Sequence, residues 1–461
     1  MVCMVQSISL NRIVKFFDGQ WQGITVALDG ACYFGSSTHS PKHGCSFFKF
    51  EPVSKKLTTL SEDMTKICGE DLTKTPPQGK IHSPIVECDG WLYFTTHLSN
   101  YWEEAINKYT GAHVIGYELS TGKFRDFEVV RKQSTIYSAI NVDKINKKIY
   151  VFVVPWDTYD NKENDGSHLY QIDIETGEKV DLGLVPPKER SACFWFFIDN
   201  RGDCWFTLWK KFNPSLYLND EDLYCYNPKT KKIKSYKNVL PIGKLAPDGV
   251  SASEKLKPER SWTWAAPLPG NEQCLFTMGW LGGGDERLWI FDPAKNIENG
   301  EAFQPLAYIG STFLSVACSN DRVYFIQYND LHDARNYCPE FIREMNRKDI
   351  HFNDELHLRS VSIDQGVNNR IIDHGKIVDQ DDRHVSMIES LAADNEGNVF
   401  MVGSWDSLST DEPSSQYIWQ GLKDDYVNIC DTYKDVEVHT HKLMHRGQFF
   451  SYVNVFENVK K

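Results

Sequence analysis

"GKIHSPIVECDGWLYFTTH", residues 79–97, contains a polar turn, Cys88 to Gly90, followed at once by the apolar and aromatic run Trp91 to Phe94. Asp-Gly tolerates the positive φ that a tight turn between antiparallel strands requires, so the stretch reads as a strand pair joined by a hairpin. Its second half returns along the chain as "LDGACYFGS" (28–36), "INKKIYVFV" (145–153), "NRGDCWFTL" (200–208), "GNEQCLFTM" (270–278), "SNDRVYFIQ" (319–327) and "NEGNVFMVG" (395–403). With "CDGWLYFTT" (88–96) that makes seven copies. Their mean spacing of roughly 60 residues is within reach of a kelch-like period.

A second marker follows most of the first: a strand, a turn rich in Gly, Pro, Asn or Asp, and a returning strand. "VIGYELSTGKFRDF" (114–127), "LYQIDIETGEKVDL" (169–182), "LYCYNPKTKKIKSY" (223–236) and "LWIFDPAKNIENGEAF" (288–303) are examples. Two hairpins per repeat give a four-stranded antiparallel unit, and such units bury their faces by stacking around an axis. The repeat therefore predicts an all-β fold, one seven-bladed β-propeller spanning 1–461. Its blades fall at roughly 20–70, 80–130, 135–185, 190–240, 260–310, 312–375 and 385–440, by the kelch-like period. Two β-sandwiches would not need one repeat to run from end to end. The closing strand is left open between "SLNRIVKFFDG" near the start and "QYIWQGL" or "VEVHTHKL" near the end, and "ARNYCPEFIREMNRK" (334–348) is the best helical stretch.

Composition agrees with a folded, strand-rich chain: 41% hydrophobic and 13% aromatic over 461 residues. A net charge of −13 argues against a nucleic-acid partner, which would need a basic face. An anionic substrate would need a local cationic cluster in a cleft, where short-range geometry outweighs the screened global field. The twelve cysteines form no C-x-x-C pair, which fits small reduced core residues. No apolar stretch of signal-peptide length precedes Asn11 and Arg12, and none approaches a membrane span. The expectation is a cytoplasmic protein with no membrane partner, or a secreted one whose leader has been removed.

In a propeller the strand before each marker lines the central channel. The early positions of these strands carry Gln22, His82, Tyr137, Arg190, Trp262 and Glu389, with Trp264 close by. Imidazole, phenol, guanidinium and indole at one mouth are richer in chemistry than a space-filling ring, although small-residue strands also use polar groups to satisfy each other. Antiparallel pairing returns His97 to the same mouth as His82. His113 starts the next strand, further from the axis, and suits a supporting role. His439, His441 and His445 have spacing that can bind metal, with a packed or solvated role as the alternative. "GWLGGGDERLW" (279–289) lacks the Lys-Ser/Thr of a phosphate loop and reads as a blade loop.

At "GKIHSPIVECDGWLYFTTH", "YTGAHVIGYELSTGK" and "VSMIESLAADNEGNVFMVGSW" the chain resembles the seven-bladed propeller lyases that include ulvan lyases and rhamnose-glucuronate lyases. The resemblance spans roughly residues 20 to 405 and its motifs mostly specify blades. It implies a catalytic pair of histidines and a tyrosine from the next blade, and His82, His97 and Tyr137 match those positions. It also implies a positive partner for a uronate carboxylate, for which Arg190 is the inner-ring candidate. The expected reaction is β-elimination beside a uronic acid on an acidic oligo- or polysaccharide. His82 or His97 would be the base, Tyr137 the acid or co-base, Trp262 or Trp264 a sugar platform, and Gln22, His113 and Glu389 further contacts. No cofactor is required and a structural divalent metal is compatible. A hydrolase would need two carboxylates, and Glu389 is the single obvious one. The alternatives are another carbohydrate-active propeller and a non-catalytic glycan- or protein-binding propeller.

Overall fold

The computed structural model describes residues 1–14, 17, 19–99, 103–155, 166–185, 191–213, 216–241, 261–278, 287–309, 312, 314–327, 356–364, 371–406 and 446–458. The helical candidate 334–348, the loop 279–286, Arg190 and the histidines at 439, 441 and 445 lie outside the described residues.

The marker motifs form strands as the turn chemistry requires. Asp89 and Gly90 both take positive φ, and the strands Val86–Cys88 and Trp91–Thr95 pair antiparallel across them. The same hairpin opens each of five sheets whose strands follow in chain order, beginning with Ile24–Val26, Val86–Cys88, Ser134–Asp143, Ser191–Ala192 with Phe196–Ile198, and Trp262–Pro267. In the fourth of these the inner strand is split in two, both pieces pairing with Cys204–Asn213. The chain is an all-β propeller with four-stranded antiparallel blades.

Apart from the two-stranded ribbon of Gln78–Lys80 and His97–Leu98, the remaining described strands form one eight-stranded sheet rather than two separate blades. Its outer ends are Val316–Cys318 and Val385–Ala393, and the N-terminal strand Val2–Ser9 lies in the middle. Val2 to Val5 pair parallel with Lys376 to Asp379, while Gln6 to Ser9 pair antiparallel with Phe449 to Tyr452. This corrects the expectation of seven discrete blades: one strand divides its hydrogen bonds between two neighbours and fuses their sheets. The closing partner, Arg446–Asn454, lies downstream of the two C-terminal stretches considered, and Val2–Ser9 starts upstream of "SLNRIVKFFDG".

Core side chains sit between sheets, because each sheet is apolar on both faces. One cluster joins Tyr33 and Phe47 of the first sheet to Phe94 and Ile115 of the second, and others fill each successive gap. A further cluster, with Cys3, Leu358, Ile388 and Met401, packs the two halves of the eight-stranded sheet together. The first strands of the five sheets and both outer ends of the eight-stranded sheet line a central cavity of about 400 Å³. No helix among the described residues is long and apolar enough to cross a membrane.

Candidate functional site at the channel mouth

The mouth is built where the first three sheets begin. Gln78–Lys80 pairs with His97–Leu98 as a short two-stranded ribbon, with Lys80 opposite His97. Gly79 is required there: a Cβ would lie 2.3 Å from Ser99 Cβ and 2.8 Å from the Thr38 carbonyl oxygen. The ribbon sets Lys80 and His82 two residues apart on one extended segment and brings His97 back beside them. The His82 and His97 ring centroids are 5.8 Å apart, edge to face. Trp21, from the lead-in to the first sheet, stacks on His82 at 5.5 Å and carries the Lys80 Nζ over its ring at 5.4 Å. His39 meets the other side of Trp21, edge on, at 5.7 Å.

The third sheet fixes the ring orientations. Ser138 Oγ lies 2.9 Å from His82 Nδ1, and Thr135 Oγ1 bonds His97 Nδ1. Ser138 takes a φ of +74° at the bulge between Ile136 and Ile140. Left-handed backbone is uncommon for serine, and bulges of this kind re-aim a side chain.

Both imidazoles are buried: His82 is 5% exposed, His97 and Lys80 1% or less. Burial, then the Lys80 charge, push the His82 imidazole down to about 3. The same two causes, joined by His82 itself, hold His97 well below the usual histidine range. At neutral pH the mouth therefore holds two uncharged imidazoles beside the buried Lys80 side chain.

The other expected residues are distributed differently. Gln22 lines the cavity with a φ of +65°, and neither of its side-chain polar atoms has a hydrogen-bond partner among the described residues. Glu389 accepts a 2.7 Å hydrogen bond from the Gln20 backbone N–H, which ties the eight-stranded sheet to the mouth. Trp264 lines the cavity. Trp262 is fully buried, 5.1 Å from Phe276 and 5.7 Å from Phe291 of its own sheet, in the core cluster that joins that sheet to Trp205 and Leu223 of the fourth, and is no open sugar platform. Tyr137 lies in the strand Ser134–Asp143, and its side chain is outside the described residues, as is Arg190.

His113 belongs to a separate cluster. Its Nδ1 lies 3.0 Å from both Asp126 oxygens and its Nε2 3.1 Å from Glu70 Oε1. Burial lowers its pKa, but hydrogen bonds to Asp126, Cys68 and Glu70 outweigh that and raise it to about 12. Lys80, Trp21, His39, Thr135 and Ser138 were not anticipated from sequence. Lys80 stands in the quoted "GKIH", where it reads as a turn residue, and its i, i+2 relation to His82 was the available signal.

No family model matches the chain, and no curated protein matches it. Solved structures with a similar fold include the β-propeller domain of Cps50 (Swd1) from Myceliophteria thermophila, at 12% identity. That match covers 86% of this chain and 96% of the other, with a TM-score of 0.46. The oligogalacturonate lyase of Vibrio parahaemolyticus is 10% identical over 87% of this chain and 94% of its own, with a TM-score of 0.44. A GH74 enzyme of Niastella koreensis is 10% identical, covering 87% of this chain and 52% of its own, with a TM-score of 0.49.

Proposed function

We propose that the chain is a carbohydrate-active lyase that cleaves beside a uronic acid, with its site at the mouth of a seven-bladed propeller. The count of seven takes the eight-stranded sheet as two blades sharing Val2–Ser9, each half having its own channel-lining strand. The observation that carries the function is the pair of neutral imidazoles held beside the Lys80 side chain.

In β-elimination a base removes the C5 proton, the C4–O4 bond breaks, a C4=C5 double bond forms and O4 leaves with a proton. The C5 proton is acidic only when the neighbouring carboxylate is neutralised. Lys80 takes that neutralising role in place of Arg190. A carboxylate beside Lys80 also cancels part of the field that weakens the imidazoles, so the base strengthens when substrate arrives. His82 or His97 accepts the proton and Tyr137 supplies one to O4. Gln22, buried with an unsatisfied amide, suits a sugar hydroxyl.

The test is ultraviolet absorbance of the unsaturated uronate product on a panel of uronate-containing saccharides. Wild type is expected to raise it, and His82→Ala, His97→Ala and Lys80→Met to abolish the rise with folding intact. New reducing ends without that absorbance would make the chain a hydrolase. A second reading is favoured by the 0% exposure of His97: a binding propeller in which the histidines only brace three blades. Silence of wild type in both assays would select it.

A further inference from the structure

The His113 pair with Asp126 is a repeated device of this fold. In the third sheet His168 likewise opens the third strand, with Nδ1 2.8 Å from Asp181 on the outer strand. In the eight-stranded sheet His357 faces Asp373 in the same way at 2.9 Å. Such a pair needs nothing further to stitch two strands. The second sheet adds what the others lack: the segment linking it to the first sheet delivers Cys68 and Glu70 to the same imidazole. Among the described residues, Cys68, His113 and Asp126 are the group of three whose ligand atoms all lie within 4.8 Å of one another.

We infer that Cys68, His113 and Asp126 form a binding site for a divalent transition-metal ion of the zinc class. One thiolate, one imidazole and one carboxylate suit zinc, which takes sulfur, nitrogen and oxygen in a tetrahedral set. Calcium and magnesium call for six or more oxygens and do not suit it. His113 uses both ring nitrogens: Nδ1, now facing Asp126, coordinates the ion, and Nε2–H donates to Glu70 Oε1. A carboxylate on the far nitrogen is the usual partner of a metal-bound histidine. Glu70 is itself fixed, accepting from Gln78 Nε2 at 3.0 Å and from Thr110 Oγ1. Binding displaces one proton from the Cys68 thiol and one from His113 Nδ1, so three ligands close around the ion and the fourth position is left to water.

The ion would act as a clip. Cys68 caps the short helix Met64–Ile67 in the inter-sheet segment, while His113 and Asp126 belong to the outer half of the second sheet. Gln78, bonded to Glu70, also accepts from Thr96 Oγ1 at 2.7 Å and Tyr109 OH at 2.8 Å. Gln78 opens the strand that carries Lys80, and Thr96 precedes His97, so the clip braces the ribbon of the mouth from behind.

The full chain titrated with cobalt(II) tests this. The expected result is one ion per chain with a thiolate-to-cobalt charge-transfer band in the near ultraviolet, bleached by zinc. Cys68→Ser should lose the band, and Glu70→Gln, which alters the partner of the metal-bound imidazole, should weaken binding by roughly 10–100-fold. No band in wild type, or a band that persists in Cys68→Ser, overturns the site. Should Cys68→Ser fail to fold, alkylation of the wild-type thiols with and without zinc, mapped by mass spectrometry, decides it. Zinc must protect Cys68, and equal modification in both samples overturns the site.

Discussion

Two histidine clusters meet where the ribbon of the mouth adjoins the second sheet, and they have opposite electrostatics. His97 ends one segment beside Lys80 and is held neutral; His113 on the adjacent strand sits between Asp126 and Glu70, and its pKa is raised to about 12. The backbones are in direct contact, since Thr96 N–H donates to the His113 carbonyl at 3.0 Å. Burial works in the same direction at both, so the sign is set by the neighbours: an ammonium at the mouth, carboxylates at the rim. Antiparallel strands make this possible, because successive side chains leave on opposite faces.

The largest effect should come from removing a rim carboxylate. Glu70→Ala takes away the acceptor of His113, Gln78 and Thr110 within a site where its side chain is 7% exposed. Breaking a buried charged set typically costs about 3–5 kcal/mol, which urea unfolding at pH 7 would register. His97→Leu removes the Thr135 Oγ1 bond from a neutral ring and should cost about 1 kcal/mol. Equal costs for the two would mean that charge does not distinguish the clusters.

Acid comes next. His82 has a native pKa of about 3 against an ordinary 6.5, so the unfolded chain binds the proton first as pH falls. Its contribution to stability is full above pH 6.5 and is lost as pH falls toward 3, up to about 3 kcal/mol by pH 4. The raised pKa of His113 has the opposite sign: its contribution is full below 6.5 and is lost as pH rises toward 12. Of these two clusters, the mouth is the one that should slope across pH 4–6.5. The difference between the stability curves of wild type and His82→Gln isolates that slope, and a flat difference curve would remove the claim that the mouth is neutral.

Lys80→Met gives a smaller response. Burial is the first cause of the lowered His82 pKa and Lys80 the second, so loss of the cation should raise the pKa while leaving it below 6.5. The His82 ring resonances, followed by NMR against pH, would show it. A pKa that does not move would mean the ammonium is screened from the ring, and the proposed carboxylate clamp would lose its basis.

These two clusters also show how far a sequence can be read. The blades were legible because a short polar turn followed by an apolar and aromatic run is local chemistry, and that pattern recurs at the hairpin opening each of the five sheets and at both ends of the eight-stranded one. The approach of His82 to His97 followed from antiparallel pairing, since the two residues sit at the ends of one hairpin. Lys80 was in view two residues before His82, but what it packs against is Trp21 from the lead-in to the first sheet, which no local pattern announces. Cys68 and Glu70 reach His113 across more than forty residues of chain, and nothing in their spacing announces the meeting. The fusion of two sheets by Val2–Ser9 was illegible for the same reason: its partners lie more than 370 residues away.

The smallest effect concerns the bulge that aims Ser138. A serine held at a φ of +74° costs about 1 kcal/mol relative to an extended backbone, and this one offsets the cost with its bond to His82 Nδ1. Ser138→Gly relieves the backbone and loses the bond, so its melting temperature should stay close to that of wild type. Ser138→Ala keeps the strained backbone and also loses the bond, and should be about 1 kcal/mol less stable than the glycine variant. If the two variants melt together, the left-handed turn costs nothing and the bulge exists for the strand alone. If alanine melts lower, the third sheet spends backbone strain to orient an imidazole of the second. A brace of that kind belongs at the mouth, whereas His113 is held by the carboxylates of Asp126 and Glu70.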